Sequence, residues 1–281
     1  MGDRTMSAPT TVLFDAPGPK GRRNNVILSI VSALAILGII AYIVYRFGAA
    51  GQLTGAKWSP FTYSVIQAAL LKGLWSTIKA AVIATLLALV IGVVFALLRL
   101  SGRAWIRVPA TALLEFFRGV PVLLLIFALY LMFSTTPFVA VVGGLALYNG
   151  MVLAEIIRAG IVAVPRGQRE AAMSIGLRDS QTMRLVLMPQ AFRAMMPTIV
   201  AQVVVLLKDS ALGYIVTYQD LLYQVNQIGR NYQNLLPTFI VGAVLFIILN
   251  MLIAGLASWL ERRLQRKTAA KTESAKGTAV R

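Results

Sequence analysis

The chain has 281 residues, 58% of them hydrophobic and 13% charged, with a mean hydropathy of +0.76; this is too apolar for a water-soluble domain of its size and puts it in a bilayer. With no cysteine and no histidine, disulfides, thiolate chemistry, cysteine metal sites and the commonest general base are excluded, and neither a metal nor a bound cofactor is expected. The net charge of +17 raises nucleic acid as a partner, but its distribution assigns it to one face of a membrane.

Residues 1–25 read as a flexible basic arm, with Arg4, Lys20, Arg22 and Arg23 set against Asp3 and Asp15 and a break at Ala16-Pro17-Gly18-Pro19. Residues 26–45 follow as about 20 apolar positions without a small-residue cleavage site, so they are a retained first span and not a signal peptide. A mixed loop over 46–73 offers Trp58 and Tyr63 as interfacial anchors. Leu74 to Leu98 is a second span, in which Lys79 can snorkel, and Arg99, Arg103 and Arg107 crowd the turn after it.

Ala110 to Phe133 is a third span, bent at Gly119 and Pro121, with Glu115 and Arg118 three apart on one helical face. Phe138 to Val164 is a fourth, interrupted only by Asn149, Glu155 and Arg158. A helix beginning near Leu145 puts Glu155 close to mid-span.

Pro165 suits a first helical turn and Gly176 a left-handed cap, so Arg166 to Ile175 reads as a short helix. Asp179 is expected to cap a second, from Ser180 to Met188, which Pro189 would end. Together they make a helical elbow over 165–190. Pro197 then opens a fifth span, apolar apart from Gln202 until Lys208-Asp209-Ser210. From Pro197, eleven residues at ~1.5 Å put Lys208 roughly 16 Å in, about halfway through a core of ~30 Å. Val216 to Leu236 is a polar loop to which no site is assigned. Pro237 to Leu260 is a sixth span, and residues 261–281 form a basic tail expected to lack structure.

Lysine and arginine outside the spans fall very unevenly. The arm has four, the turn after the second span three, the elbow five and the tail seven, nineteen in all, while the loops on the other side have only Arg46, Lys57, Lys72 and Arg230. Both termini and the elbow are therefore expected in the cytoplasm. This accounts for the net charge without nucleic acid. The expected fold is an all-α integral membrane protein with six transmembrane helices, a five-helix core over 74–260 and a short cytoplasmic coupling-helix elbow.

No glycine-rich phosphate loop followed by Lys and Ser or Thr occurs, so ATP must sit on a partner. Glu170-Ala171-Ala172, then Gly176, Val186 and Pro189, resembles the EAA loop of ATP-binding-cassette (ABC) importer permeases, although that pattern carries Ile and Leu where this chain has Val186 and Met188. The resemblance implies that the elbow docks an ATPase, with Gln168, Glu170, Ala171, Ala172, Gly176 and Pro189 as coupling residues. Ala171, Ala172, Met173 and Ile175 would offer the small and adaptable surface a groove needs.

Glu115-Phe-Phe-Arg-Gly-Val-Pro121, Tyr148-Asn-Gly-Met-Val-Leu-Ala-Glu155-Ile-Ile-Arg158, Val164-Pro-Arg-Gly-Gln168 and Leu207-Lys-Asp-Ser-Ala-Leu-Gly213 look like the polar amino-acid branch of these permeases. The arm from Leu13 to Arg23 and the extra first span are similar to glutamate-importer permeases of actinobacteria. The resemblance implies a subunit of an ATP-driven importer for glutamate or another acidic amino acid, in the plasma membrane of a bacterium. The chain itself would not be an enzyme. Its partners would be an ABC ATPase dimer, a second permease subunit (copy or paralogue), an extracytoplasmic amino-acid-binding protein and the lipid bilayer.

Ionisable groups at membrane depth are costly and usually face a cavity or one another. Glu155, Arg158, Lys208 and Asp209 are thus candidates for the substrate pathway, or for mutual neutralisation that holds the bundle in register. Lys208 would meet a substrate carboxylate, with the fork of Arg158 one span away. Glu115 and Arg118 are assigned to gating or structure. These acids and bases cancel, so charge alone does not choose the substrate. A secondary transporter would usually show internal repeats, and none is visible. An intramembrane enzyme would need an Asp pair or a Ser with its base at matched depth, and only the sequence neighbours Asp209 and Ser210 are available.

Overall fold

The computed structural model describes residues 18–278, and every regular element among them is helical. Five helices are long and apolar enough to cross a membrane, and a bent pair makes a sixth span. The protein is a multi-pass, all-α membrane protein.

Helix α1 (Pro19–Ala49) belongs to a unit of its own that reaches Lys57. It starts ahead of the apolar run at Val26 because Pro19 in its first turn has the φ of a helix and no N–H to leave unpaired. The arm is therefore helical from Pro19, and residues 1–17 lie outside the described residues. A single turn, α2 (Gly55–Trp58), follows.

The second unit begins at Trp58. Its axis is α3 (Ser64–Leu100), a helix of 37 residues that starts ten residues before the expected span and carries Arg99 in its last turn. Gly73, Thr77, Ala80, Ala84, Ala88, Gly92 and Ala96 are buried along one face. That stripe lets α6 (Pro137–Val162) approach closely. A Cβ added to Gly92 would lie 2.9 Å from the Cβ of Leu153, and one added to Gly150 would lie 2.8 Å from the Cβ of Ile91. In lipid such small-residue contacts, and not hydrophobicity, bring helices together.

The expected bend of the third span is present as a 99° break between α4 (Ala104–Gly119) and α5 (Val122–Phe127), which runs on through a π turn to Met132. Val120 is extended (φ −85°, ψ 126°), as the residue before a proline prefers. α6 starts at Pro137, where Thr136 caps it by accepting from the N–H of Val139 at 3.4 Å. Because the helix starts there and not near Leu145, Glu155 lies about 10 Å from its elbow end and not at mid-span.

After the elbow, α9 (Met188–Asp209) runs through both Pro189 and Pro197. Pro189 therefore ends nothing: it follows directly on the π turn of Met183–Leu187 within one continuous helix, where its missing N–H withholds a donor from that turn. Pro197 opens nothing either, since it lies inside the helix and only withholds a donor from the carbonyl of Arg193. The helix passes into a 3₁₀ segment, Ser210–Val216. Then α10 (Leu221–Asn231) folds back on α3: the Tyr218 hydroxyl donates to the Ser76 carbonyl at 2.8 Å and the Leu221 N–H to Thr77 Oγ1 at 3.1 Å. Last, α11 (Leu235–Thr278) continues as helix into the basic tail, whose Ala, Lys and Glu are strong helix formers. Residues 279–281 lie outside the described residues.

Candidate functional site: the coupling elbow and the charge clusters

Helix α7 (Arg166–Ser174) is the first arm of the elbow. Gly176 closes it at φ +85°. Its N–H donates to the Met173 carbonyl at 3.0 Å, while the Leu177 N–H reaches the Ala172 carbonyl at 3.2 Å, the paired bonds of a Schellman cap. A Cβ on Gly176 would meet nothing within 4 Å, so the requirement for glycine is conformational and not steric.

The second arm, α8 (Asp179–Thr182), continues through a π turn to Leu187 and into α9. Asp179 is not its cap. Gln181 takes that role by accepting from the Arg178 N–H at 2.9 Å, and Asp179 instead accepts from Arg169 at 2.9 Å, tying α8 to α7. Gln190 donates to Gln168 at 3.1 Å, so a second side-chain bond ties α7 to the start of α9.

Glu170, Ala171, Met173 and Ile175 are exposed, Ile175 to 78%. Ala172 is 4% exposed and turned into the protein. The surface α7 offers a partner therefore excludes Ala172, whose small size serves the packing of the elbow itself.

Glu155 is held by two arginines. Arg158 donates to Oε1 at 2.6 Å, Arg99 Nη1 donates to Oε2, and Arg99 Nε donates to Thr111 Oγ1 at 3.3 Å. This cluster joins α3, α4 and α6 and carries one positive charge in excess. Sequence reasoning missed Arg99: ending the second span at Leu98 made it a loop charge, although cations are favoured in a last helical turn. Asn149, fully buried, forms a second cross-link by accepting from Gln202 on α9 at 2.7 Å.

Among the described residues, Lys208 and Asp209 form no ion pair with each other, nor do Glu115 and Arg118. Lys208 is exposed and Asp209 half-buried. The antiparallel register of α6 and α9 locates them: Gly160 packs on Met195, Asn149 bonds Gln202 and Gly213 packs on Val141. Lys208 is thus level with about Leu145, roughly 15 Å along the bundle from Glu155. Counted from Met188 it lies ~30 Å from the elbow end of α9, so it stands at the far end of that helix and not halfway. The two charge clusters are separate, and one amino acid cannot touch both. Glu115 and Arg118 are exposed on α4, beside the 99° break.

The chain matches the family model described as binding-protein-dependent transport system inner membrane component over residues 88–266. It is 41% identical over 235 residues to the glutamate transport system permease protein GluD of Corynebacterium glutamicum, covering 80% of this chain and 86% of that protein. With the arginine transport system permease protein ArtQ of Bacillus subtilis the identity is 32% over 203 residues, 70% of this chain and 92% of that one. A crystal structure of an amino acid ABC transporter with histidines superposes with a TM-score of 0.68 at 30% identity, over 75% of this chain and all of that one. The methionine transporter MetNI shares the fold at a TM-score of 0.61 and 21% identity, over 72% of this chain and 99% of that one. With this family match across the elbow and the helices on both sides of it, and no ATP-binding motif in its sequence, this chain belongs to the inner-membrane components of binding-protein-dependent transport systems, as an ABC-transporter permease subunit whose ATP is hydrolysed by a separate partner.

Proposed function

We propose that this chain forms half of the translocation pathway of an amino-acid importer that carries glutamate or another acidic amino acid. A second permease, copy or paralogue, supplies the other half, an ATPase dimer drives it, and an extracytoplasmic binding protein delivers the substrate. The elbow and both termini lie in the cytoplasm. The observation that carries this reading is the construction of the elbow. An exposed face of Glu170, Ala171, Met173 and Ile175 stands on a capped helix tied to α8 and α9 by two side-chain bonds. A push on that face by a closing ATPase travels directly into α9.

The acidic substrate is supported by the 41% identity to a permease named for glutamate and by the unbalanced positive charge around Glu155. Lys208, far along the bundle, is a second contact for a carboxylate passing through. The pathway then has two cationic stations reached in turn.

The test is competed uptake of labelled glutamate into vesicles holding the full assembly, with ATP hydrolysis measured in parallel. Glu170→Lys and Gly176→Pro are expected to leave the subunit in the membrane and to abolish substrate-stimulated hydrolysis and uptake together. Wild-type transport by either assembled variant sinks the elbow as coupling element. Uptake of only cationic or neutral amino acids sinks the acidic substrate and leaves the permease.

A further inference from the structure

At the far end of α9 from the elbow, a cavity of about 440 Å³ opens between the 3₁₀ segment Ser210–Val216 and α10. Ile215 apart, its lining is polar: Tyr214, Thr217, Tyr223, Asn226, Gln227 and Arg230. Thr217 holds a left-handed φ of +60° without being glycine, a strain that clusters at ligand clamps. Its N–H donates to the Tyr214 carbonyl at 3.1 Å, so the turn that presents these two side chains is fixed.

Arg230, in the last turn of α10, is exposed and makes no ion pair among the described residues. No carboxylate lines the cavity, and Asp220 is buried at the cap of the same helix. An unpaired guanidinium thus stands among the hydroxyls of two tyrosines and a threonine and the amides of Asn226 and Gln227, a set of donors suited to a carboxylate. Behind it α10 is firmly seated. Leu221, Val225 and Ile228 are buried, and a Cβ on Gly73 of α3 would lie 2.9 Å from the Asp220 carbonyl oxygen and from Leu221 Cα. A surface held in place from behind loses little freedom when a partner binds it.

A member of a binding-protein-dependent family needs a seat for that protein on its outer face, and tyrosine and arginine are the residues that carry most of the energy of such interfaces. We infer that this cavity is the seat of the extracytoplasmic binding protein, and that an exposed Asp or Glu of that protein enters it to meet Arg230 between Tyr214 and Tyr223. This rests on the orientation and the delivery step proposed above, to which it adds the surface and the sign of the contact. A cavity of this size is the centre of an interface and not its whole area, which is about 800 Å² on each partner. Because Tyr218 and Leu221 bond α3 at Ser76 and Thr77, a protein docked here loads the helix whose other end carries Arg99.

The full assembly in nanodiscs, with both faces accessible, is titrated with its own binding protein loaded with amino acid, and the affinity is read by interferometry. Arg230→Gln is expected to weaken binding about tenfold and Arg230→Glu further, while Tyr223→Phe weakens it about fivefold. Lys72→Gln, exposed and outside the cavity, is expected to have no effect. Reversing one acidic side chain of the binding protein to arginine is expected to restore its binding to Arg230→Glu. Unchanged affinity of Arg230→Glu overturns the site and leaves the delivery step standing, whereas a wild-type assembly that captures no binding protein overturns both. Equal weakening by Lys72→Gln means diffuse attraction and overturns the site. Loss of the second permease from the Arg230→Glu assembly makes the cavity a contact between permeases and overturns it. Binding of the free amino acid that disappears with Arg230→Gln, at unaltered affinity for the binding protein, makes it a substrate site and overturns it as well.

Discussion

Asp220 caps α10, its Oδ1 accepting from the Tyr223 N–H at 2.8 Å, and it is 1% exposed. Its other oxygen, Oδ2, is buried without a partner. Burial raises its pKa to about 7, partly offset by the backbone N–H groups at its cap. An unfolded aspartate has released its proton well below pH 5, so between pH 5 and 7 the folded chain holds a proton that the unfolded chain does not. Stability then falls as pH rises, at up to about 1.4 kcal/mol per pH unit, or about 2 kcal/mol over that interval. At pH 7 half of the folded chains still hold the proton, so the slope fades through that pH and the loss is nearly complete by about pH 8. Asp220→Asn keeps a capping oxygen and cannot ionise, so its stability lacks this slope. Thermal unfolding in detergent, followed by intrinsic fluorescence at pH 5, 6, 7 and 8, compares the two chains. The variant is expected to gain on the wild type by several degrees from pH 5 to 7 and by only a small further amount at pH 8. Parallel curves, or a gain that grows only above pH 7, refute the reasoning.

Gly150→Ala is expected to cost about 1–3 kcal/mol by forcing α3 and α6 apart, since its Cβ would meet Ile91 at 2.7 Å; an unchanged unfolding temperature in detergent counts against the backbone-to-backbone contact. Lys208→Met is expected to reduce glutamate uptake by the full assembly severalfold while leaving basal ATP hydrolysis in place. Equal loss of both makes Lys208 structural. The chain has no cysteine, so Ser174→Cys gives a single thiol on the exposed face of the elbow, expected to react with an impermeant reagent only in inverted vesicles. Reaction in intact cells would reverse the proposed orientation.

Among the described residues hydropathy located the helices long enough to cross a membrane because apolar length alone marks a span, and the bend at Gly119 and Pro121 was legible because proline acts locally. Helix ends were less so. At Pro189 and Pro197 the local rule says stop, but in a membrane helix neighbouring groups can take up the freed carbonyl, and α9 continues through both. That error displaced Lys208 in depth. The Schellman cap at Gly176 was visible because one glycine determines it. The partners of Glu155 were only half visible: Arg158 is three residues away, whereas Arg99 arrives from α3 through packing of the small-residue stripe, which no local pattern announces. Ala172 shows the same limit, since a motif marks a residue as important without saying which way it faces.

Pro197 gives α9 an uneven mechanical character. Along its axis the helix is an unbroken strut from the elbow to Asp209. Sideways it is softest where the carbonyl of Arg193 lacks its ladder bond, because bending there opens no hydrogen bond that was closed. A thrust applied at the elbow would therefore meet a stiffer path along the axis than a lateral load would meet across it. Lys208, beyond Pro197 on the same helix, would feel an axial push more directly than a sideways one.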